Sequence, residues 1–260
     1  MLFRVHAVRL LQHWLGSQSR HSRATRLLRR QIESHDRIRL AIGSETHCSE
    51  DWIPAESDQI DLANAASWSS FFQKSSVDAI LAEHVWEHLS EHDGKIAARN
   101  CFQFLQPGGY LRVAVPDGFH PSQPRQALGR LGGSEIGTVG CGTLYNYRSF
   151  ANAFLAVGFQ VQLIEFFDQE GVFHSNHWDV SKGLVKRSLL FDERNTAQPF
   201  AYTSLVLDAI KPGAAAMGLE PARAVTREME NIGTPALHVS YKDDSVQDDS
   251  VQGELQPEAA

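Results

Sequence analysis

Apolar and polar positions form the clearest pattern between residues 77 and 118. Residues 77–82 are an apolar run of strand length, and four ionisable residues follow it directly: Glu83, His84, Glu87 and His88. After a polar break at residues 90–94, apolar residues recur at helical spacing, and the Pro-Gly-Gly at 107–109 predicts the end of that helix. Residues 110–115 indicate a second buried strand. The stretch therefore predicts a β-α-β unit with its chemistry at the carboxyl end of a strand.

Further elements are predicted on both sides of this unit. Residues 37–42 indicate a first strand that ends at Gly43, and residues 52–56 indicate a short second strand. The remaining predicted elements are helices at 67–72 and 149–157, strands at 159–166 and 202–209, and a long Gly- and Pro-rich loop at 119–143. Because strands and helices alternate, we predict an α/β fold: a Rossmann-like, doubly wound, mainly parallel sheet flanked by helices.

The two ends of the chain differ in charge. Residues 1–40 carry nine arginines and only two acids, whereas residues 213–260 carry nine acids and repeat the pentapeptide Asp-Asp-Ser-Val-Gln. We predict a basic helical extension at 1–36, a folded domain at 37–211 and an acidic, disordered tail at 212–260. Three interpretations of the extension stay open: a helix packed on the domain, an amphipathic helix in peripheral contact with an anionic membrane or a partner, and a transit peptide.

Composition narrows the functional classes. The 260 residues have no apolar run of the roughly 18–20 residues that a spanning helix needs. A net charge of −7 argues against general nucleic-acid binding by the whole surface. Three widely spaced cysteines provide neither a disulfide framework nor a CxxC metal pair, so a reducing, cytoplasmic compartment is expected. The sequence does not indicate an oligomeric state.

The motifs around the central unit resemble those of a known family. Residues 83–89 read EHVWEHL, residues 105–118 read LQPGGYLRVAVPDG, and residues 202–205 read YTSL. With the preceding strand and glycine loop, this combination resembles the class I S-adenosylmethionine-dependent methyltransferases, most closely a bacterial branch with EHxxEHL and LxPGGxLRxAVPDG. The resemblance covers roughly residues 37–211. It implies S-adenosylmethionine as cofactor and methyl transfer to a small-molecule or glycan-like acceptor.

The same resemblance implies which residues would hold the cofactor. A glycine loop follows the first strand in such proteins; here it reads Gly43-Ser44-Glu45, so that an acid stands where the family has a second glycine. The like charges of Glu45 and the cofactor's carboxylate disfavour close approach unless Glu45 turns outward or is paired. The remaining implied positions are Glu56 at the ribose hydroxyls, Asp61 near the adenine, and Glu83 beside the methyl group.

Catalysis by methyl transfer mainly requires a positioned nucleophile and the exclusion of water. Where the acceptor is a hydroxyl or an amine, a base assists, and an imidazole titrates in the useful range. His84 is the first candidate for base or substrate contact, followed by Asp117 and His120. Packing at the strand–helix junction is the competing interpretation for these side chains.

Two other functions are compatible with the residues. His84-Val85-Trp86-Glu87-His88 fits the HxxEH pattern of zinc hydrolases, although that motif requires a sustained helix and a third ligand. The altered Gly43-Ser44-Glu45 loop is also compatible with a methyltransferase-like domain that has lost catalysis and serves binding or scaffolding. The favoured prediction includes no metal site.

Overall fold

The computed structural model describes residues 22–43, 50–121, 142–196 and 202–213, together with the backbone of residues 238–240. Eight described strands form one sheet in the order β2-β1-β3-β4-β7-β5-β6-β8. The strands are β1 Arg39–Ile42, β2 Ile53–Ala55, β3 Val77–Glu83, β4 Leu105–Pro116, β5 Gln160–Phe167, β6 Val172–Ser175, β7 Ser204–Ile210 and β8 His238–Ser240.

Pairing between neighbours fixes the strand directions. The pairs β1–β2, β1–β3 and β3–β4 are parallel, and β7 runs antiparallel to both β4 and β5. Strands β6 and β8 add two antiparallel pairs at one edge. Six of the described strands therefore point the same way, and β6 and β7 oppose them. The prediction of a Rossmann-like, mainly parallel α/β sheet flanked by helices is confirmed.

Four described helices pack on this sheet: α1 at residues 22–34, α2 Ala65–Ser69, α3 Glu91–Phe104 and α4 Tyr147–Leu155. Each contributes to the larger core cluster, α1 through Leu28, α2 through Trp68, α3 through Phe104 and α4 through Phe154. Part of the predicted N-terminal extension is thus a helix packed on the domain. Residues 1–21 lie outside the described chain, and the other interpretations of the extension stay predictions for them.

The opposite face of the sheet is covered differently. Strand residues such as Ala41, Leu81 and Val206 form a smaller cluster there with Trp52 and Val185. An irregular segment, residues 176–192, lies on this face; we call it the covering segment. The Arg112 guanidinium fastens it by donating through Nη1 to the carbonyls of Asp179 at 2.9 Å and Gly183 at 2.7 Å. The side chain is 1% exposed and pairs with Asp208 through two hydrogen bonds of 2.8 Å.

The helix of the central unit begins earlier than predicted, and the Pro-Gly-Gly predicted to end it lies within the following strand. Helix α3 begins at Glu91, because the Ser90 side chain accepts a hydrogen bond from the Asp93 N–H and caps the first turn. The predicted polar break is therefore a helix start. The helix ends at Phe104, and Pro107-Gly108-Gly109 lies within an irregular stretch of β4, where Val77 pairs with Leu105 and Ala79 already pairs with Tyr110.

Two strands lie where the sequence pattern predicts none. Strand β6 forms a hairpin with β5, and β8 extends the sheet from β6. Since β8 belongs to the predicted tail at 212–260, at least these three residues join the sheet; the rest of the tail beyond residue 213 lies outside the described residues. The boundaries proposed at 36 and 211 stay predictions.

Candidate functional site

The carboxyl ends of β1, β2 and β3 meet at one edge of the sheet. Ile42 is level with Ala55 on β2 and with Ala82 on β3, so Gly43, Glu56 and Glu83 follow at the same height. Strand order reverses between β1 and β3, because the chain passes outward to β2 and then returns to the other side of β1. Ligands of open α/β sheets bind at such a position. This edge is the candidate active site.

At Gly43, the backbone at the end of β1 lies close to Val85 in the loop after β3. Its φ of +67° is a left-handed conformation, and a Cβ built on it would lie 2.6 Å from Cγ2 of Val85. Glycine is therefore required here for both backbone conformation and close packing. Ser44 and Glu45, the other predicted members of this loop, lie outside the described residues.

The other predicted cofactor residues differ in how free their carboxylates are. Glu56 follows β2 directly and is exposed. Asp61 is also exposed, but its Oδ1 accepts the Ala63 N–H at 2.9 Å within a turn. Glu83 is nearly buried, and its two oxygens accept the N–H groups of Lys186 at 3.1 Å and Arg187 at 2.8 Å. Glu83 thus holds the covering segment against the site edge, and its predicted contact with cofactor stays a prediction.

His84 is the central side chain of the edge. It follows β3 with a φ of +56°, uncommon for a residue other than glycine, and its N–H donates to the Ala114 carbonyl at 2.8 Å. Its Nδ1 lies 2.9 Å from Oε1 of Glu87, which belongs to a one-turn 3₁₀ helix at Trp86–His88. Its Nε2 lies 2.9 Å from Oγ of Ser204, across strand β4. The backbone turn brings the imidazole between these two groups.

Burial differs along this row of side chains. The His84 side chain is 15% exposed and that of Glu87 5%, while Ser204 is 3% exposed as a whole residue. Within the described chain, the second Glu87 oxygen, Oε2, is buried without a hydrogen-bond partner. The imidazole is therefore the part of the row that solvent reaches most easily. Sequence reasoning selected His84 but missed Ser204, 120 residues away; the start of the YTSL strand was the available signal.

Asp117 and His120 are placed deeper. Both oxygens of Asp117 accept backbone N–H groups, from Phe119 at 2.9 Å and from Phe167 at 2.7 Å, which ties the end of β4 to β5. Burial raises the pKa of Asp117 to about 6 despite these two donors. His120 is 1% exposed and packs edge-on against Phe167, 4.6 Å between ring centroids. Their surroundings suit a structural task, and their predicted catalytic roles stay predictions.

Glu165 is a further buried carboxylate that supports the covering segment. Its Oε2 accepts the Leu189 N–H at 2.8 Å. Burial raises its pKa to about 7, although the hydrogen bonds from Leu189 and Trp178 act in the opposite direction. Protonation of this group is therefore coupled to the packing of the covering segment on the sheet.

The HxxEH pattern is not realised as a helical metal site. The 3₁₀ helix begins only at Trp86, His84 has a left-handed backbone, and His88 is exposed. Across the described ranges no group of three His, Cys, Asp or Glu side chains is arranged to hold a metal ion. No described helix is both long and apolar enough to cross a membrane.

Comparison with known proteins agrees with this architecture. A sequence model described as a methyltransferase domain matches residues 44–113, which include β2, β3, α3 and much of β4. No curated protein matches the chain.

Three methyltransferase proteins are among the solved structures to which this chain is similar. One is the methyltransferase component of a complex with the Haloferax volcanii Trm112 activator, 12% identical, with 76% of this chain and 92% of that chain covered and a TM-score of 0.41. A S-adenosylmethionine-dependent methyltransferase from Archaeoglobus fulgidus is 12% identical, with coverages of 73% and 93% and a TM-score of 0.39.

The third is an O-methyltransferase family protein from Burkholderia thailandensis, 9% identical, with 63% of this chain covered and a TM-score of 0.39. The present chain spans 37% of that protein's length. These structural similarities are low. The domain match covers 70 of the 260 residues, and together with the strand order of the sheet it supports a methyltransferase-like domain in this part of the chain.

Proposed function

We propose that this protein transfers a methyl group from S-adenosylmethionine to a hydroxyl or amine of a small-molecule or glycan-like acceptor. The observation that carries the proposal is the pairing of His84 with Glu87 at the carboxyl end of β3, 2.9 Å between Nδ1 and Oε1. This is the end of the strand that faces the transferred group in the family that the motifs resemble. The pair supplies a base where the acceptor would be deprotonated.

Two described positions at the edge of the sheet support binding of the cofactor. Gly43 exposes backbone in a left-handed turn after β1, and Glu56 offers an exposed carboxylate after β2. Gly43 would approach the methionine part, and Glu56 would accept hydrogen bonds from the ribose hydroxyls. S-adenosylmethionine, when bound, supplies an electrophilic methyl group on a sulfonium. An acceptor hydroxyl or amine then only has to be aligned with it and to lose a proton.

The chemistry of His84 follows from its two neighbours. An ionised Glu87 is purely an acceptor, so it favours the tautomer in which Nδ1 of His84 carries the proton. The lone pair of Nε2 is then on the side away from Glu87 and can take a proton. Glu87 also stabilises the imidazolium that results, because the pair is nearly buried and the attraction is weakly screened by water.

A non-catalytic scaffold is the second candidate function. The contact between Val85 and Gly43 narrows the end of β1, and Glu83 is occupied by the covering segment. Both features would suit a domain that no longer binds cofactor and retains a partner through one of its ends. A zinc hydrolase is disfavoured by the short 3₁₀ helix at Trp86–His88.

Isothermal titration with S-adenosylmethionine and S-adenosylhomocysteine separates these functions. Methyl transfer requires binding of both, with Glu56→Gln weakening the affinity and Asp58→Asn, an exposed neighbour, serving as the control for charge. Absence of binding at millimolar S-adenosylmethionine and S-adenosylhomocysteine would contradict the methyltransferase proposal and favour the scaffold. Where binding is found, turnover to S-adenosylhomocysteine with monosaccharides, phenols and primary amines identifies the acceptor class. A cytoplasmic location is part of the same proposal.

A further inference from the structure

Both nitrogens of the His84 imidazole have a hydrogen-bond partner, and the contact at Nε2 determines how a proton can reach the ring. Nδ1 lies 2.9 Å from Glu87 Oε1, and Nε2 lies 2.9 Å from Ser204 Oγ. A neutral imidazole has one N–H and one lone pair. Since Glu87 takes the N–H at Nδ1, the lone pair of Nε2 accepts the hydroxyl proton of Ser204. In this arrangement no lone pair of the ring is open to an acceptor molecule.

The Ser204 hydroxyl can connect an acceptor molecule with Nε2 of His84. Its oxygen has two lone pairs, and donating its proton to His84 leaves both available for a further donor. Ser204 is also the first residue of β7, at the same edge as the end of β3, because β7 is antiparallel to β4 and Ser204 pairs with Pro116. An acceptor that lies at the edge can thus donate to Ser204 Oγ.

The backbone around Ser204 fixes the hydroxyl in place. Its N–H donates to the Arg187 carbonyl at 3.1 Å, and the Arg187 N–H donates to Glu83 at 2.8 Å. The covering segment therefore links the last residue of β3 to the first residue of β7. Such a link keeps Oγ and Nε2 at hydrogen-bond distance without relying on either side chain alone.

We propose that Ser204 is a proton relay between the methyl acceptor and His84, an inference that rests on the proposed methyl transfer. The acceptor oxygen or nitrogen forms its bond to the methyl carbon, and the sulfonium sulfur keeps the electron pair of the bond that breaks. The acceptor's proton moves to Ser204 Oγ, and the original Ser204 proton moves to His84 Nε2. The imidazolium is then balanced by Glu87, and the proton is later lost to water.

The same three residue types occur in serine hydrolases, where the hydroxyl is a nucleophile, but the surroundings here favour the relay. Nucleophilic serines act beside backbone donors that stabilise an oxyanion. The Ser204 N–H is already used by the Arg187 carbonyl, and the residue is 3% exposed. The relay requires only that an O–H or N–H hydrogen of the acceptor reach Ser204 Oγ, whereas acylation requires a carbonyl carbon to bond to that oxygen and a free donor to stabilise the oxyanion that forms.

Nitrogen-15 NMR of the histidine side chains tests the hydrogen-bond arrangement without any substrate. The His84 signals are those lost in His84→Gln. We expect the Nδ1–H tautomer, a shift of the Nε2 signal in Ser204→Ala, and its recovery in Ser204→Thr. Thr203→Val is the matched control, since the adjacent Thr203 hydroxyl is buried with no hydrogen-bond partner in the described structure. An Nε2–H tautomer, or an Nε2 signal unchanged in Ser204→Ala, would overturn the inference.

The rate of methyl transfer in Ser204 variants provides a second test of the proposed relay. With the acceptor that the turnover experiments proposed above identify, Ser204→Ala should lower the rate of S-adenosylhomocysteine formation by about 100-fold, the lower end of the range typical of acid–base catalysis, while cofactor affinity is unchanged. Ser204→Thr should restore most of the rate, and the wild type should show a solvent isotope effect that depends non-linearly on deuterium fraction.

Three outcomes separate the inference from the function on which it rests. A full rate in Ser204→Ala would contradict the relay and leave methyl transfer intact. Covalent labelling of Ser204 by a fluorophosphonate would overturn the relay in favour of a nucleophile. Failure of cofactor binding in the wild type would remove the proposed function and with it the relay, whereas the NMR result would still report the geometry.

Discussion

The two halves of the candidate site are built in different ways. In the half proposed to take the methyl acceptor, formed by β3, β4 and β7 and called the acceptor half, His84 is held by Glu87 and Ser204, and Glu83 is bonded to two backbone N–H groups. In the half proposed to take the methyl donor, formed by β1 and β2 and called the donor half, Gly43 packs against Val85 and Glu56 is exposed. The acceptor half is fixed by polar contacts between distant segments, and the donor half by a close backbone approach.

This difference indicates where each half is vulnerable. Buried polar groups that satisfy one another specify a geometry well, but removing one member leaves its partner unpaired and costs more than the bond itself contributes. A glycine at a close approach has no such partner, and only added atoms disturb it. Substitutions that delete atoms should therefore damage the acceptor half, and substitutions that add atoms should damage the donor half.

The largest effect is expected from loss of the imidazole. His84→Gln should reduce methyl transfer by about 10²- to 10⁴-fold, because the proposed base is removed, while the affinity for S-adenosylmethionine changes little. Rates of S-adenosylhomocysteine formation and calorimetric titration measure the two quantities. His88→Gln is the control, since His88 is exposed on the neighbouring 3₁₀ helix. Equal losses in both variants would show that His84 acts through local packing.

The next largest effect concerns the support of the acceptor half. Arg112→Met should lower the free energy of unfolding by about 3–5 kcal/mol, because Asp208 is left as an unpaired buried charge and the covering segment loses its anchor. Urea denaturation measures the loss. The double variant Arg112→Met, Asp208→Leu should recover much of it. A double variant as unstable as the single one would mean that the contacts to the covering segment carry the effect.

A third prediction uses the pH dependence of stability. The folded-state pKa of Glu165 is raised to about 7, above its ordinary value of 4.5, so its contribution to stability is complete below about pH 4.5 and is lost as pH rises through 7. The loss is on the order of 3 kcal/mol at most. Glu165→Gln should therefore be more stable than the wild type at pH 8, by urea denaturation at several pH values.

The control for this prediction is Glu170→Gln, which removes the same charge from an exposed residue close in sequence. Its stability should follow the wild-type pH dependence. Some dependence of stability on pH should persist in Glu165→Gln as well. The reason is Asp117, whose pKa is raised to about 6, so that its ionisation lowers the stability of the folded protein over part of the same pH range. A wild-type profile unchanged in Glu165→Gln would refute the assignment.

The smallest expected effect is in the donor half. Gly43→Ala should cost about 1–3 kcal/mol, because it combines a left-handed conformation with a Cβ placed 2.6 Å from Val85. Gly108→Ala separates the two causes: Gly108 has a φ of +83° and no atom within 4 Å of its Cβ position. Thermal or urea unfolding should show the smaller loss in Gly108→Ala. Equal losses would mean that Val85 moves aside without cost.

Much of the fold follows from local pattern. The runs that became β1, β3, β5 and β7 are apolar and bounded by turn residues, and their predicted positions agree with the observed strands within about two residues. The start of α3 was wrong because the polar residues 90–94 look like a loop, whereas Ser90 is a helix cap. Strand β6 was not predicted, since its four residues are stabilised by pairing with β5 and β8.

In the candidate site, too, some features follow from the local sequence and others only from the tertiary structure. The sequence determined that ionisable residues follow β3, because an apolar run of strand length ends there, and it placed Gly43 and Glu56 at strand ends for the same reason. Only the tertiary structure decided that Ser204 meets His84, that Glu83 holds the covering segment, and that Val85 fills the space beside Gly43. These contacts join residues far apart in the chain or depend on a left-handed turn, and neither strand alternation nor helical spacing carries that information.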